Sequence, residues 1–356
     1  MLRSSGVFLG LAATVFLGLA ASVAAQDSTT VPESYLTGYH IVRPGENLRR
    51  ITRNYLGSQE FWQRNWKLNP EVENPNFLSP GQRLLVLLRP EDAVPSAQIV
   101  TIAGTVEERP DPIAWTPAQR HDLMVERDGV RTFRQSSTAL RFHDGTRLVV
   151  TEDSIVFLKV AGRTLRGIET RAVEIVEGQA DLVGGKVSEE SPEIEFVIGE
   201  ATARPTPGPG GKSQARLRKL KSGAAQLMIY EGASEIEAGG KTVSVAKGMG
   251  TSVPKGAPPL PPEKLLPRPT MSVPQPNGIV EVGRLEFSWD PVEGASTYIL
   301  EVCLDPSCEA LVARAVDLTS TTWEAEQLPV GDLEWRVTAV GSSGLDGYPA
   351  VPQPFR

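Results

Sequence analysis

With 33 glycines and 29 prolines among 356 residues, a backbone breaker falls at roughly every sixth position of this chain. Glycine costs a helix interior about 1 kcal/mol and proline about 3 kcal/mol relative to alanine, so the runs between breakers suit strands better than long helical bundles. The expectation is short strands, tight turns and extended connections. At about 100 to 200 residues per domain, a chain of this length divides into two to four domains. The formal net charge of -7 excludes a general nucleic-acid binder, because neutralising a phosphate backbone needs a basic surface.

Residues 1–25 read as a secretory signal peptide. Arg3 gives a positive start, and Val7 to Ala20 is an apolar run shorter than the ~20 residues that span a bilayer. Val23-Ala24-Ala25 then offers small residues at a cleavage site before Gln26. The mature chain is expected to be exported to the periplasm or cell envelope, with no membrane span and with residues 26–37 as a flexible stub. Export exposes the only two cysteines, Cys303 and Cys308, to oxidation, and the intervening Leu304-Asp305-Pro306-Ser307 turns readily, so a disulfide is expected. A metal site is the weaker alternative, since its other ligands would have to come from His40, His121 and His143. No cofactor is expected.

The first periodic unit covers residues 38–88. Tyr39-His40-Ile41-Val42 reads as a strand and Arg43-Pro44-Gly45-Glu46-Asn47 as a turn able to cap a helix. Leu48, Ile51 and Tyr55 recur at helical spacing until Gly57, and a second helix carries Phe61, Trp62, Trp66 and Leu68 up to Asn69-Pro70. Leu84 to Leu88 closes the unit as a strand. The run Tyr39 to Leu48, with Ile51, Asn69 and Leu78-Ser79-Pro80-Gly81-Gln82-Arg83-Leu84, resembles a LysM domain, the small module that binds N-acetylglucosamine-containing glycans. Glu46-Asn47 stands where that family usually has Asp and Thr or Ser, and Val86-Leu87 lacks the usual closing proline. The resemblance implies a small α+β fold in βααβ order and a shallow glycan groove between two loops. Gly45, Glu46, Asn47 and Leu48 would line one side, and Asn69, Asn76, Phe77, Leu78 and Pro80 the other. Asparagine suits such work because its amide both donates and accepts. Seven Lys and Arg (43, 49, 50, 53, 64, 67, 83) against four Glu (46, 60, 71, 73) would let this module meet an anionic wall locally.

After a Pro-bearing linker at 89–98, strand signals dominate residues 99–253. Ser137 to Val150 alternates about an Asp144-Gly145 turn, and further strands are expected at Ser154 to Lys159, Arg171 to Val176 and Asp181 to Val183, as stacked sheets or a solenoid-like sandwich. The block from Val130-Arg131-Thr132 through Ala139, Asp144-Gly145-Thr146, Ser154 and Glu177-Gly178 resembles a FecR-type domain. Lys212, Arg216, Arg218, Lys219 and Lys221 follow a Pro/Gly loop and read as a solvated strand face rather than a patch for an anionic polymer. Residues 254–271 read as a semi-rigid, proline-rich spacer. Residues 272–356 alternate apolar and polar positions around Trp289, Trp323 and Trp335 and resemble a fibronectin type III domain, with those tryptophans in its core. The fold class expected is therefore multidomain: a βααβ LysM-like module, an all-β FecR-type domain and a β-sandwich.

Catalysis leaves no mark in this sequence. There is no Gly-x-Ser-x-Gly, no His-Glu-x-x-His and no phosphate loop. Glu107-Glu108 and Glu189-Glu190 could serve a glycosidase only if two carboxyls stood about 5 to 9 Å apart, but adjacent strand residues point to opposite faces. The expected function is non-catalytic binding of peptidoglycan or a chitin-like glycan, with the β domains as scaffold. The alternatives are an envelope signalling or assembly adaptor whose FecR-type region recognises a protein, and, more remotely, a glycosidase.

Overall fold

The computed structural model describes residues 36–88, 97–142, 144–164, 167–184, 193–280 and 285–356. The signal peptide, nearly all of the 26–37 stub, most of the 89–98 linker, His143 and the Glu189-Glu190 pair lie outside the described residues.

The first module runs β1 (Leu36–Ile41), α1 (Leu48–Leu56), a single 3-10 turn, α2 (Trp62–Lys67) and β2 (Arg83–Leu88). β1 and β2 pair antiparallel, with Leu36 opposite Leu88 and Ile41 opposite Arg83. α1 starts because Asn47 takes an extended backbone and its side chain accepts from the Arg50 N–H, and it stops because Gly57 adopts a left-handed φ of 69°. Leu48, Ile51 and Tyr55 on its inner face pack with Val72, Leu84 and Val86. Two asparagines one turn apart tie α2 to β2. Asn65 accepts from the Leu87 N–H and donates to Thr52, while Asn69 accepts from the Leu85 N–H and donates to the Leu85 and Asn65 carbonyls.

The central domain consists of two sheets that share one strand. One sheet runs edge to edge through Leu123–Met124, Ala97–Ala103, Ser137–Arg141, Arg147–Val150, the second half of Gly167–Val183, Gln214–Lys219, Ala225–Glu231, Met249–Val253 and Glu263–Lys264. The other runs through Thr116–Pro117, Val106–Arg109, Gly129–Thr132, Ile155–Thr164, the first half of Gly167–Val183, Glu193–Ile198, Ala201–Thr206, Ala233–Ala238 and Lys241–Ala246. Leu140, Leu148, Leu182 and Leu217 from the first meet Val156, Val173, Phe196 and Ile236 from the second in one continuous core. The strands expected separately at 171–176 and 181–183 are therefore one strand. It changes sheets at Gly178, whose φ of 82° and lack of a Cβ, which would collide with Ser154 Oγ, permit the corner. The expected hairpin at Asp144-Gly145 is present, with Gly145 at φ 85°.

The C-terminal unit is a seven-stranded sandwich. A three-stranded sheet (Met271–Val273, Leu285–Trp289, Thr322–Ala325) faces a four-stranded one (Leu311–Leu318, Ala295–Cys303, Leu333–Gly341, Gln353–Phe355). Trp289 and Trp335 are buried between them with Phe287, and Trp323 packs at the margin. Cys303 and Cys308 are bonded to each other with Cα atoms 5.1 Å apart, closing a loop that Asp305 organises by accepting from the Ser307, Glu309 and Ala310 N–H groups.

Two of the segments read as separate from their neighbours are not. Residues 254–271 are no free spacer: Leu260 N–H bonds Ser252 O, Glu263–Lys264 joins the central sheet, Leu265 is buried, and Leu266 O receives the Tyr348 N–H. The basic run after the Pro/Gly loop is a solvated face only in part: Lys212 and Lys221 are exposed, whereas the arginines between them turn inward. Arg216 is 0% exposed and forks onto both Asp181 oxygens at 2.8 and 2.7 Å while its third nitrogen reaches Asp346 at 2.7 Å. Arg218 pairs with the same Asp346. Burial pulls the Arg216 guanidinium down, but Asp181 foremost, with Asp346, holds it well above its ordinary value. Around this cluster, Ser137 bridges the Glu309 carbonyl and the Leu311 N–H, Arg147 pairs with Glu309, and Arg314 meets Glu152 at 3.3 Å. Removing one member of a buried ion pair leaves an uncompensated charge, so Arg216→Ala is expected to cost about 3 to 5 kcal/mol in denaturant unfolding. A loss below about 1 kcal/mol would mean that water already screens the cluster.

Candidate functional site

The two loops expected to form a groove are brought together. The turn after β1 closes by the Glu46 N–H to Arg43 O bond at 3.1 Å with Gly45 at φ 79°, and the Leu48 N–H then donates to Pro75 O at 2.9 Å, tying this turn to the loop before β2. That second loop is shaped from within, since Asn74 accepts from the Asn76 N–H through its side chain and from the Phe77 N–H through its carbonyl. Its surface carries Asn76, Phe77 and Pro80, all exposed, and Leu78 half-buried against the core. Phe77 is 82% exposed. The ring is not part of the module's core and stands free at the loop tip.

Four expected groove residues have their side chains occupied elsewhere. Leu48 is 0% exposed because it is the first inward position of α1. Asn69 is 2% exposed and spends its amide on Asn65 O of α2 and on the Leu85 N–H and carbonyl of β2. Asn47 is the α1 cap. Glu46 accepts from the Arg43 N–H at 2.8 Å and from His40 Nε2 at 2.7 Å. Burial opposes its charge, but the His40 bond and the Arg43 N–H outweigh that and hold the carboxyl below its usual range. In the neutral imidazole, His40 Nε2 thus donates and Nδ1 accepts from the Tyr55 hydroxyl at 2.8 Å. The groove reduces to Gly45, Asn76, Phe77, Leu78 and Pro80. Trp66, on the second helix, lies at the surface, stacked on Trp62 at 5.7 Å with its indole N–H on Val72 O.

The loops are anchored from behind by charges that sequence reading missed. Arg43 reaches across to Asp128 with bonds of 2.9 and 2.7 Å and to Asp111 O at 3.1 Å; Arg83 grips Asp122 at 2.8 and 2.9 Å and Glu108 at 2.9 Å. Tyr39 N–H adds a bond to His121 O, and Leu123 enters the module's own core. Only the local excess of arginine was visible in the sequence; its partners lie 25 to 85 positions away. Glu108 and Asp122 form a carboxyl pair in this region, and both are buried. Glu107 points outward to Arg131 instead. Among the described residues no three His, Cys, Asp or Glu side chains cluster as metal ligands, and no helix is long and apolar enough to cross a membrane.

No protein family's sequence profile and no curated relative matches the chain. Among solved structures, a chain assigned as an anti-sigma factor from Parabacteroides distasonis is similar at 11% identity with a TM-score of 0.30, the match covering 38% of this chain and 59% of that one. An Fn3-like protein from Clostridium thermocellum is similar at 17% identity and a TM-score of 0.22, over 26% of this chain and 94% of that one. The FN1–FN3 domains of chicken CNTN1 are similar at 11% identity and a TM-score of 0.21, over 73% and 96%. This chain therefore spans about three fifths of the anti-sigma factor chain it matches. Likenesses at these scores carry no argument about what the chain does.

Burial, followed by Asp122, pushes the Glu108 carboxyl up to about 9, so it stays protonated at neutral pH and donates to Asp122 while accepting from Arg83. The unfolded chain releases that proton near pH 4.5 and the folded one near 9, so folded protein binds the extra proton between these values and stability falls as pH rises through that window. Glu108→Gln keeps both hydrogen bonds without the proton. It is expected to melt at or above wild type at pH 8.5 and to flatten the pH dependence of melting; a variant less stable at pH 8.5 than at pH 5.5 by the wild-type margin contradicts this.

Proposed function

We propose that the protein is a non-catalytic, exported envelope protein that binds peptidoglycan or a related N-acetylglucosamine-containing glycan through residues 38–88, read as a LysM-like module. The observation that carries the reading is Phe77, exposed beside Asn76 on a loop hydrogen-bonded to the Gly45 turn. A sugar ring offers an apolar C–H face to an aromatic side chain and hydroxyl and acetamido groups to an amide, the pair of chemistries these neighbours supply. The central domain, read as FecR-type, and the sandwich, read as fibronectin type III-like, serve as scaffold. One such surface is small, so affinity for a single oligomer is modest and retention on a wall needs further contacts.

Phe77→Ala with Asn76→Ala tests this by titration with chitin oligomers and muropeptides. Both side chains are exposed, so melting should be unchanged while affinity falls about tenfold or more, the scale of one ring contact and one hydrogen bond. Leu48→Ala should instead cost about 2 to 5 kcal/mol and reduce binding only through unfolding. Wild-type affinity in a normally melting double variant would show that these loops do not hold the glycan.

A further inference from the structure

The outer face of the second central sheet carries a continuous row of rings and guanidinium groups. Strand register places Arg109 and Phe157 on either side of Gly129. A Cβ on Gly129 would collide with the Phe157 ring; without one the ring leans over the backbone and Arg109 Cζ comes within 4.5 Å of its centroid. Trp115 lies beside both, 5.9 Å from Phe157 and 5.8 Å from Arg109 Cζ. Arg131, two residues along from Gly129, extends the row at 4.6 Å from Trp115 and 5.2 Å from the exposed Phe133. The acidic neighbours on this face are spoken for: Glu107 pairs with Arg131, and Glu174, opposite Phe157, with Lys159. Among the described residues Arg109 has no hydrogen-bond or carboxylate partner.

Structural arginines in this protein are paired with carboxylates, as Arg43, Arg83 and Arg216 are. Arg109 is half-buried beside two rings, its Cζ 4.5 Å from the Phe157 centroid and 5.8 Å from that of Trp115, and left unpaired, so its N–H fork remains available to an anion. We infer that the row Phe157–Arg109–Trp115–Arg131–Phe133 is a binding site for a carboxylate-bearing polysaccharide. The Arg109 fork takes the carboxylate of an acidic sugar in a bidentate bond, and the parent ring then lies over Trp115. The chain's overall negative charge disfavours nucleic acid as the occupant of the row. The site is separate in residues from the Gly45 and Phe77 loops and does not depend on their reading.

The test titrates the full chain with oligogalacturonate, with chitohexaose as the neutral control and poly-glutamate as the acidic-peptide control. Oligogalacturonate should bind, more weakly as salt rises. Arg109→Gln should weaken it about tenfold or more, the scale of a charge-assisted pair. Trp115→Ala should weaken it as well, and neither change should alter chitohexaose binding. Arg109→Lys, which keeps the charge and loses the planar fork, should recover only part of the loss and gives a reading even where Trp115→Ala unfolds. No oligogalacturonate binding, or equal binding by Arg109→Gln, overturns the inference. So does poly-glutamate binding as tightly as the oligosaccharide with Trp115→Ala silent in a folded protein, which would assign the row to acidic peptides.

Discussion

An arginine keeps its charge when withdrawn from water and loses more hydration than any single contact returns, so its burial is compensated best where carboxylates meet its fork directly. Both seams of this molecule are built on that condition. At one, Arg43 and Arg83 leave the βααβ module for the carboxylates of Asp128 and Asp122 in the central domain, with the neutral Glu108 carboxyl accepting a further bond from Arg83. At the other, Arg216 and Arg218 converge on Asp346 from the C-terminal sandwich, while Arg336 and Arg314 meet Glu301. Burial raises Glu301, but Arg336, with Arg216 and Arg314, holds its carboxyl at about 2. Such pairs add less net stability than their number suggests, because desolvation consumes most of the attraction; what they fix is geometry, since any other register strands a charge. The described residues from Leu36 to Arg356 accordingly belong to one compact unit despite the sequence's division into three.

Local grammar was legible in the sequence, and long-range pairing was not. Asn47 as a cap, Gly57 as a stop, the Asp144-Gly145 turn and the inward tryptophans of the sandwich all follow from rules that act within a few residues. Arg216 and Asp346 are 130 positions apart, and nothing in either neighbourhood points to the other, so a basic run looked like surface. The proline-rich stretch at 254–271 looked like a spacer for the same reason: its composition sets its stiffness, and only the partner sheet determines where it lies. At the candidate groove, Asn69 is claimed by a strand edge and Leu48 by the core, and neither demand is visible from residue type alone.

The rigidity of the seams bears on how a glycan would be held. A single exposed loop pair offers little area, and flexible linkage to a second site would dilute its contribution. In this molecule the Phe77 loops and the Arg109 row belong to the same compact unit, so their separation is set by the fold and not by a tether. Two weak contacts at fixed spacing can retain a polymer that neither would hold alone, provided the polymer presents matching groups.

Scanning calorimetry of the protein tests the central claim, that buried arginine pairs make the three regions one cooperative body. The account predicts a single transition whose calorimetric and van't Hoff enthalpies agree, and a split into more than one transition when Asp128→Asn loosens the first seam. Three independent transitions in the wild-type protein would contradict it.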